Sequence, residues 1–350
     1  MSETAISVAM ATYNGEQFLQ EQLDSLARQT LLPFELVACD DGSTDSTLDI
    51  LRRFQAAAPF PVRIYRNKTR LGSGFNFLSA VGRCIGDLVA FCDQDDIWKE
   101  HKLSVCVEIM CDPGVALVSH SAGVFSSQPL SHPWRQPNHR SSVWRSCRDF
   151  AVQRWTLLGF SIVLRRAVLD KLPVPEYSAA FSSECAHDVL ATIAALSFGR
   201  VVLLPDELAL HRLHEGNVSL RPRAAGLTRL APDPRALERG AENYAGLARF
   251  LRYAMSSCHQ SAQENFCEYI RQVECYGRVC GERARLYRTC GHRWMALRTL
   301  SGMLAKGHYA PHSLGARAFV RDALLAAFWP ACLRAAADDA DFVPIKVGEE

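Results

Sequence analysis

A chain of 350 residues holds one large domain with an appendage, or two domains. Its 48% apolar and 22% charged content is that of an ordinary globular protein, and a formal net charge of +2 gives no footprint for nucleic acid. No run approaches 18 apolar residues and no basic-then-apolar leader opens the chain, so neither a membrane span nor a secretory signal is expected, and the protein reads as cytoplasmic.

Ile6 to Ala11 reads as a buried strand running into Thr12-Tyr13-Asn14-Gly15. The next segment has Leu19, Leu23 and Leu26 on one helical face. A second strand, Leu36 to Cys39, ends in Asp40-Asp41-Gly42-Ser43-Thr44-Asp45. A helix follows with Leu48, Leu51 and Phe54 inward, capped by Ser43 or Asp45. A third strand, Val62 to Tyr65, precedes a loop with Gly72, Gly74 and Asn76, then a helix from Phe77 to Ile85. Leu88 to Cys92 is a fourth strand, and Lys99 to Met110 a helix. This βαβαβαβ order predicts a parallel sheet with helices on both faces and one ligand edge.

The fourth strand ends in Asp93, Asp95 and Asp96, three carboxylates within four residues. Ligands bind at the carboxyl ends of strands in such sheets. Crowded carboxylates repel one another unless a cation holds them, and hard divalent cations take oxygen ligands. Such a cation would in turn bind a diphosphate. A plain acidic turn is the alternative.

The organisation then changes. Ser126 to Arg148 is rich in Ser, Pro, His and Arg and reads as a long loop of the lid or binding type. Trp155 to Leu164 has strand character around Gly159, His187 to Phe198 is helical, and Arg200 to Leu204 and Leu208 to Leu213 are strands. Beyond a linker marked by Pro222, Pro232 and Pro234, helices are predicted over Ala236 to Met255, Gln263 to Arg288, Arg293 to Ala305 and Leu314 to Ala337. The boundary divides residues 1–221 from a helical region, 222–350. None of the 13 cysteines stands in a C-x-x-C pair; Cys39, Cys84, Cys92, Cys106 and Cys185 read as reduced, buried thiols.

The segments VAMATYNGEQFLQEQLDSL, CDDGSTDSTLDIL, LGSGFNF, GDLVAFCDQDDIW and HDVLATIAALSFGRVVLLPDELALHRLHEGNVS, with an echo near GARAFVRDALL, resemble the family-2 glycosyltransferases of the A-type nucleotide-sugar fold. Within that family the chain is most similar to rhamnosyltransferase-like enzymes of bacterial O-antigen and capsule assembly. The match spans Ile6 to Ser219. It implies a mostly parallel α/β sheet sandwiched by helices, with a C-terminal helical region. It implies an inverting transfer, with rhamnose as one donor sugar, from a dTDP- or UDP-sugar to a glycan or lipid-linked acceptor.

The resemblance also assigns roles. Asp93 and Asp95 match the D-x-D element, Asp95 as direct metal ligand and Asp93 serving the ribose or, through water, the metal, with Asp96 in support. Asp188 matches the catalytic carboxylate; its other reading is a helix N-cap, and Glu184 is the reserve base. His214 matches a histidine near the diphosphate or metal, which suits Mn²⁺ better than Mg²⁺. Arg212 matches a phosphate partner or is a surface arginine. Thr12, Tyr13, Asn14 and Asp41 match the lining of the nucleotide pocket. Tyr13 would stack on the base and Asp41 would accept from a pyrimidine imide N–H. Gly72 and Asn76 lie where relatives approach the nucleotide, and Gly72 could simply satisfy a turn with φ > 0. Asp40 suits a turn cap.

Two other classes stay open. A sugar nucleotidyltransferase would want a glycine-rich, basic phosphate loop in the first βα turn, which Thr12-Tyr13-Asn14-Gly15 is not. An inactive nucleotide-sugar-binding protein would not need Asp93, Asp95 and Asp188 together. From Arg271 to Arg321 there are ten Lys/Arg against two Asp/Glu, interleaved with Tyr276, Trp294, Leu297, Leu300, Tyr309 and Phe319. Such a surface suits peripheral contact with anionic headgroups at the inner membrane face; a solvated helix face or a dimer interface are the alternatives.

Overall fold

The computed structural model describes residues 4–126, 141–145, 157–169, 187–214, 217, 234–256, 260–289, 293–306 and 323. The chain divides into two compact units. The first is Met1–Leu220 with Arg249–Ile270, and the second is Arg221–Ala248 with Arg271–Glu350.

The first unit is built on a mixed sheet. Its strands are β1 (Ile6–Thr12), β2 (Glu35–Asp40), β3 (Val62–Arg66), β4 (Leu88–Cys92), β5 (Ile97–Trp98), β6 (Val115–Phe125), β7 (Ser142–Trp144), β8 (Ile162–Arg165) and β9 (Arg200–Arg212). The helices between them are α1 (Leu19–Ala27), α2 (Thr47–Ala57), α3 (Ser73–Val81), α4 (Lys102–Met110), α5 (Arg166–Leu169) and α6 (His187–Phe198). The order across the sheet is β3-β2-β1-β4-β8-β6-β9-β5, with β7 on β9. β3, β2, β1 and β4 are parallel, as expected of strands joined by helical crossovers. β2 and β4 are buried at every position, because helices cover both faces of a parallel sheet. Leu19, Leu23 and Leu26 of α1 and Ile50, Leu51 and Phe54 of α2 close the core, while Leu48 packs at its margin.

Several expected boundaries move. β8 enters between β4 and β6 and is antiparallel to both, so the sheet is parallel on one side and mixed on the other. Gly159–Ser161 is a 3₁₀ turn, not strand, because the Ser161 N–H and hydroxyl both donate to the Leu158 carbonyl (2.9 and 2.7 Å). α3 starts at Ser73, four residues earlier than its apolar period, since Gly72 (φ 81°) turns the chain into it. β7 forms inside the presumed 126–148 loop and pairs with β9. The two strands expected over 200–213 are one, bent by register irregularities against β6. Ser46 is the N-cap position of α2, and Asp45 just before it accepts the Thr47 N–H (3.0 Å) and hydroxyl (2.6 Å). Cys39, Cys84, Cys92 and Cys106 are free and buried, and burial pushes Cys84 and Cys106 up to about 12. Cys185 lies outside the described residues.

β3 is the outermost strand on its side. Its Arg63 bonds Glu35 of β2 (2.9 Å), and Arg66 donates to the Ser43 carbonyl (3.1 Å) beside Asp40.

Helices α7 (Pro234–Ser256), α8 (Gln260–Thr289) and α9 (Arg293–Ala305) follow. In the second unit Val273, Val279, Leu286, Leu300 and Met303 are buried, and the Tyr244 and Tyr276 rings lie 5.9 Å apart. Arg288 pairs with Glu238 and Lys306 with Glu282, while Arg283 is buried against Tyr287. The helix expected over Leu314 to Ala337 falls outside the described residues apart from Ala323. No described helix is long and apolar enough to cross a membrane.

Candidate active site

Strand direction assembles the site. β1, β2 and β4 are parallel; β8 reverses and β6 reverses again, so β6 and its parallel neighbour β9 point the same way as β4. The carboxyl ends of β1, β2, β4 and β9 therefore meet at one edge of the sheet, as does the turn that starts β8. Loops 12–16, 40–45 and 93–96 and residues 211–214 converge there.

The first two loops are tied together by polar bonds. Asn14, in the left-handed region that Asn tolerates (φ 45°), receives Thr44 N–H on its Oδ1 (2.9 Å) and donates its own N–H to Ser43 Oγ (2.9 Å). Asp40 is fully buried and accepts from Gly42 N–H (3.1 Å), Ser43 N–H (2.9 Å) and the Thr12 hydroxyl (3.3 Å), which makes it a turn cap. Asp41 gathers the following loop: Oδ1 accepts from Asn67 Nδ2 (2.9 Å) and Leu71 N–H (2.7 Å), and Oδ2 from Gly72 N–H (2.8 Å). That leaves Oδ2 with room for one further donor. Thr12 and Asn76 are each 1% exposed. The Asn76 amide donates to the Cys39 carbonyl (2.8 Å) and accepts from Asn67 (2.8 Å). These two residues, expected at the nucleotide, are buried and tie the ends of β1 and β2 to the following loop. Tyr13 is half-buried, with the Arg70 guanidinium 3.8 Å over one face of its ring.

Gln94 joins this platform to the acidic loop. Its Oε1 accepts the Tyr13 N–H (2.9 Å) and its Nε2 donates to the Tyr13 carbonyl (3.0 Å). Gly15 makes room for it, since a Cβ there would sit 2.3 Å from Gln94 Oε1.

In the acidic loop, burial pushes the Asp93 carboxyl well above the usual carboxylate range, and the charges of Asp96, Asp95 and Asp188 push it further; Lys102 opposes them. Asp188, at the first turn of α6, is thus electrostatically part of the same cluster. Asp95 Oδ2 lies 2.8 Å from His214 Nε2, whose ring packs on Phe18 (4.7 Å). Asp96 is fully buried; its Oδ1 accepts from His211 Nδ1 (2.8 Å) and Arg212 N–H (3.1 Å). Burial raises Asp96 too, against the pull of the His211 bond. Arg212 lies between Phe18 (4.6 Å) and Phe125 (4.5 Å) and donates to the Asp95 carbonyl (3.0 Å) and Glu21 (2.8 Å). Its side chain is 5% exposed, so in this structure it braces the acidic loop and does not stand open to a phosphate.

Among the described residues no group of three or more His, Cys, Asp or Glu side chains is arranged to hold a metal ion. The Asp95–His214 pair nonetheless fits two ligands of a borderline cation, and such an ion would offset the mutual repulsion that raises Asp93. A diphosphate would have to supply further oxygens.

His187 precedes Asp188 at the start of α6. Its ring stacks on Phe77 (4.1 Å, 18° between planes) and meets Phe91 edge-on (5.2 Å). Burial pushes its pKa down, which keeps the imidazole neutral. Glu184 lies outside the described residues.

Sequence reasoning missed Lys102 and His211. Lys102 is fully buried; its ammonium donates to the Phe160 carbonyl (2.6 Å) and lies 3.4 Å over the Trp98 ring. Burial lowers it to about 8. Its position was legible, since Lys102, Cys106 and Met110 recur at the spacing of the buried stripe of α4.

The profile of Glycosyl transferase family 2 matches residues 7–172. The chain spans 59 to 66% of the length of the first curated relatives it matches. It is 34% identical over 127 residues to the dTDP-rhamnosyl transferase RfbG of Shigella flexneri, covering 35% of this chain and 42% of that one. In fold the chain resembles Staphylococcus aureus TarS 1-349 in complex with UDP-GlcNAc (TM-score 0.58, 18% identity, 93% of this chain and 92% of that). It also resembles the mannosyltransferase PcManGT of Pyrobaculum calidifontis in complex with GDP-Man and Mn²⁺ (TM-score 0.52, 18% identity, 94% and 88%). The first unit thus has the mixed α/β architecture of A-type glycosyltransferases.

Proposed function

We propose that this chain is an inverting glycosyltransferase that moves a sugar from a pyrimidine diphosphate donor to a glycan or lipid-linked acceptor. The observation that carries the reading is the convergence of Asp93, Asp95 and Asp188 at one sheet edge, beside a platform built from Tyr13 and Asp41. Tyr13 stacks on the base, and Asp41 takes the imide N–H on its remaining lone pair. Asp93, Asp95 and His214 would hold Mn²⁺ or Mg²⁺, which supplies Lewis-acid stabilisation of the departing diphosphate. Asp188 accepts the acceptor hydroxyl's proton as that oxygen bonds to the anomeric carbon and the bond to the diphosphate breaks. Attack from the face opposite the leaving group inverts the anomeric centre. The Shigella relative's name supports rhamnose as the sugar and dTDP as the carrier, with a UDP-sugar as rival.

The lipid-linked acceptor is supported by a row of exposed arginines, Arg271, Arg278 and Arg285, seven residues apart along α8. Such a row suits anionic headgroups. Calorimetry with UDP, dTDP and GDP, each with and without Mn²⁺, tests the donor reading. Metal-dependent binding of UDP or dTDP is the expected result; preference for GDP over both would overturn the pyrimidine assignment.

A further inference from the structure

We propose that the turn Gly159–Phe160–Ser161 is the positioning element that sets the spacing between Asp188 and the Asp93/Asp95 loop, an inference that rests on the glycosyl-transfer reading. The turn opens β8 at the sheet edge where β4 ends, and it touches both halves of the site. Gly159 faces the base side: a Cβ there would lie 2.4 Å from His187 Nε2. His187 is held by stacking on Phe77 and an edge-on contact with Phe91, and Asp188 is the next residue.

Phe160 faces the donor side. It is 1% exposed, and its ring stacks on His211 (5.0 Å, 16°). His211 holds Asp96, which takes the Arg212 N–H, and Arg212 in turn donates to the Asp95 carbonyl. The Phe160 carbonyl receives Lys102, the cation behind the acidic loop. Ser161 fastens the turn to β6 through Ser119 Oγ (2.7 Å). One three-residue turn therefore needs no side chain at its first position and an aromatic ring at its second, each for a different half of the chemistry.

The test uses the full chain, with UDP plus Mn²⁺ as binding probe. Nucleotide release from UDP-glucose, UDP-N-acetylglucosamine and dTDP-rhamnose is the turnover probe. Gly159→Ala should leave metal-dependent UDP affinity within about twofold while turnover falls roughly 10²-fold, the size expected for a misplaced reacting group. In a His187→Ala background the same change should cost nothing further, because the clash is gone. Phe160→Leu should weaken Mn²⁺-dependent UDP binding about 10–100-fold, as loss of outer-shell support does, and leave metal-free UDP binding unchanged. Additive losses at Gly159 and His187 would overturn the proposal, as would Phe160→Leu protein that is folded and binds like wild type. If Phe160→Leu does not fold, the Gly159/His187 cycle decides alone. Wild type that ignores UDP, dTDP and Mn²⁺ would sink the glycosyl-transfer reading itself, a different result from variants that match a binding-competent wild type.

Discussion

Gln94 closes a two-bond ring with the Tyr13 peptide, accepting its N–H at 2.9 Å and donating to its carbonyl at 3.0 Å. The end of β1 and the acidic loop after β4 are therefore tied together directly. Replacing Gln94 with Leu leaves both peptide groups without their partner. The expected outcome is a loss of about 1–3 kcal/mol in UDP affinity with Mn²⁺, the usual cost of unsatisfied part-buried polar groups. Gly15→Ala should act in the same direction by expelling the Gln94 amide. Calorimetric titration of both variants checks this, and unchanged affinity in both would show that the platform and the loop act independently.

Asp188→Asn keeps the side chain's shape and removes its basicity. Turnover should fall by about 10²–10⁴, the range of a general-base contribution, while donor affinity stays within a few-fold. Near-wild-type turnover would leave Asp188 as a helix cap and make Glu184 the next base to test.

Asp93→Asn carries a stability signature that separates it from an ordinary surface change. The folded pKa of Asp93 is raised, so its stabilising contribution is present at acid pH and is lost as pH rises above the unfolded value of 3.8 and through the raised folded value. At neutral pH in a chelator the variant should therefore melt higher than wild type, by about 2–4 °C for each kcal/mol recovered. Adding UDP with Mn²⁺ should raise the wild-type midpoint and leave the variant's in place. A variant less stable than wild type in the chelator would contradict the crowding of charge at this loop.

Lys102→Met tests the buried ammonium. Its folded pKa of about 8 lies below its unfolded value of 10.5. Between those values the unfolded chain binds more protons, so stability rises with pH through that window in wild type and not in the variant. The gap should shift toward wild type by up to about 3 kcal/mol. Denaturant titrations at pH 7.5, 9 and 10.5 read it directly, and a flat difference would mean that Lys102 is solvated.

Much of the site was readable because its residues sit at the ends of uninterrupted apolar runs. Met10, Ala38 and Phe91 are buried strand positions, and polarity switches within two residues of each, which locates the edge. What could not be read is non-local. β8 pairs with β4 across more than seventy residues, and β7 has three residues, too few for any period to register. The family resemblance places Asp41 and Asn76 at the nucleotide; bonds from Asn67, Leu71 and Gly72 to one, and to Cys39 from the other, depend on a loop path that no local pattern encodes. Lys102 escaped notice because lysine is rarely interior without a partner, and its partners are a carbonyl and an indole face brought in by other strands.

The arginines of β3 bear on solubility. A terminal strand offers its unpaired peptide groups to any other extended chain, and charged side chains are the common defence. Here Arg63 and Arg66 are fastened inward, to Glu35 and to the Asp40 turn, so their guanidinium groups remain fixed along the exposed rim. A second chain adding to that rim would have to strip these groups of water or break their bonds. The same carboxylate cap that shapes the donor platform thus also helps to keep the protein from joining its neighbours strand to strand.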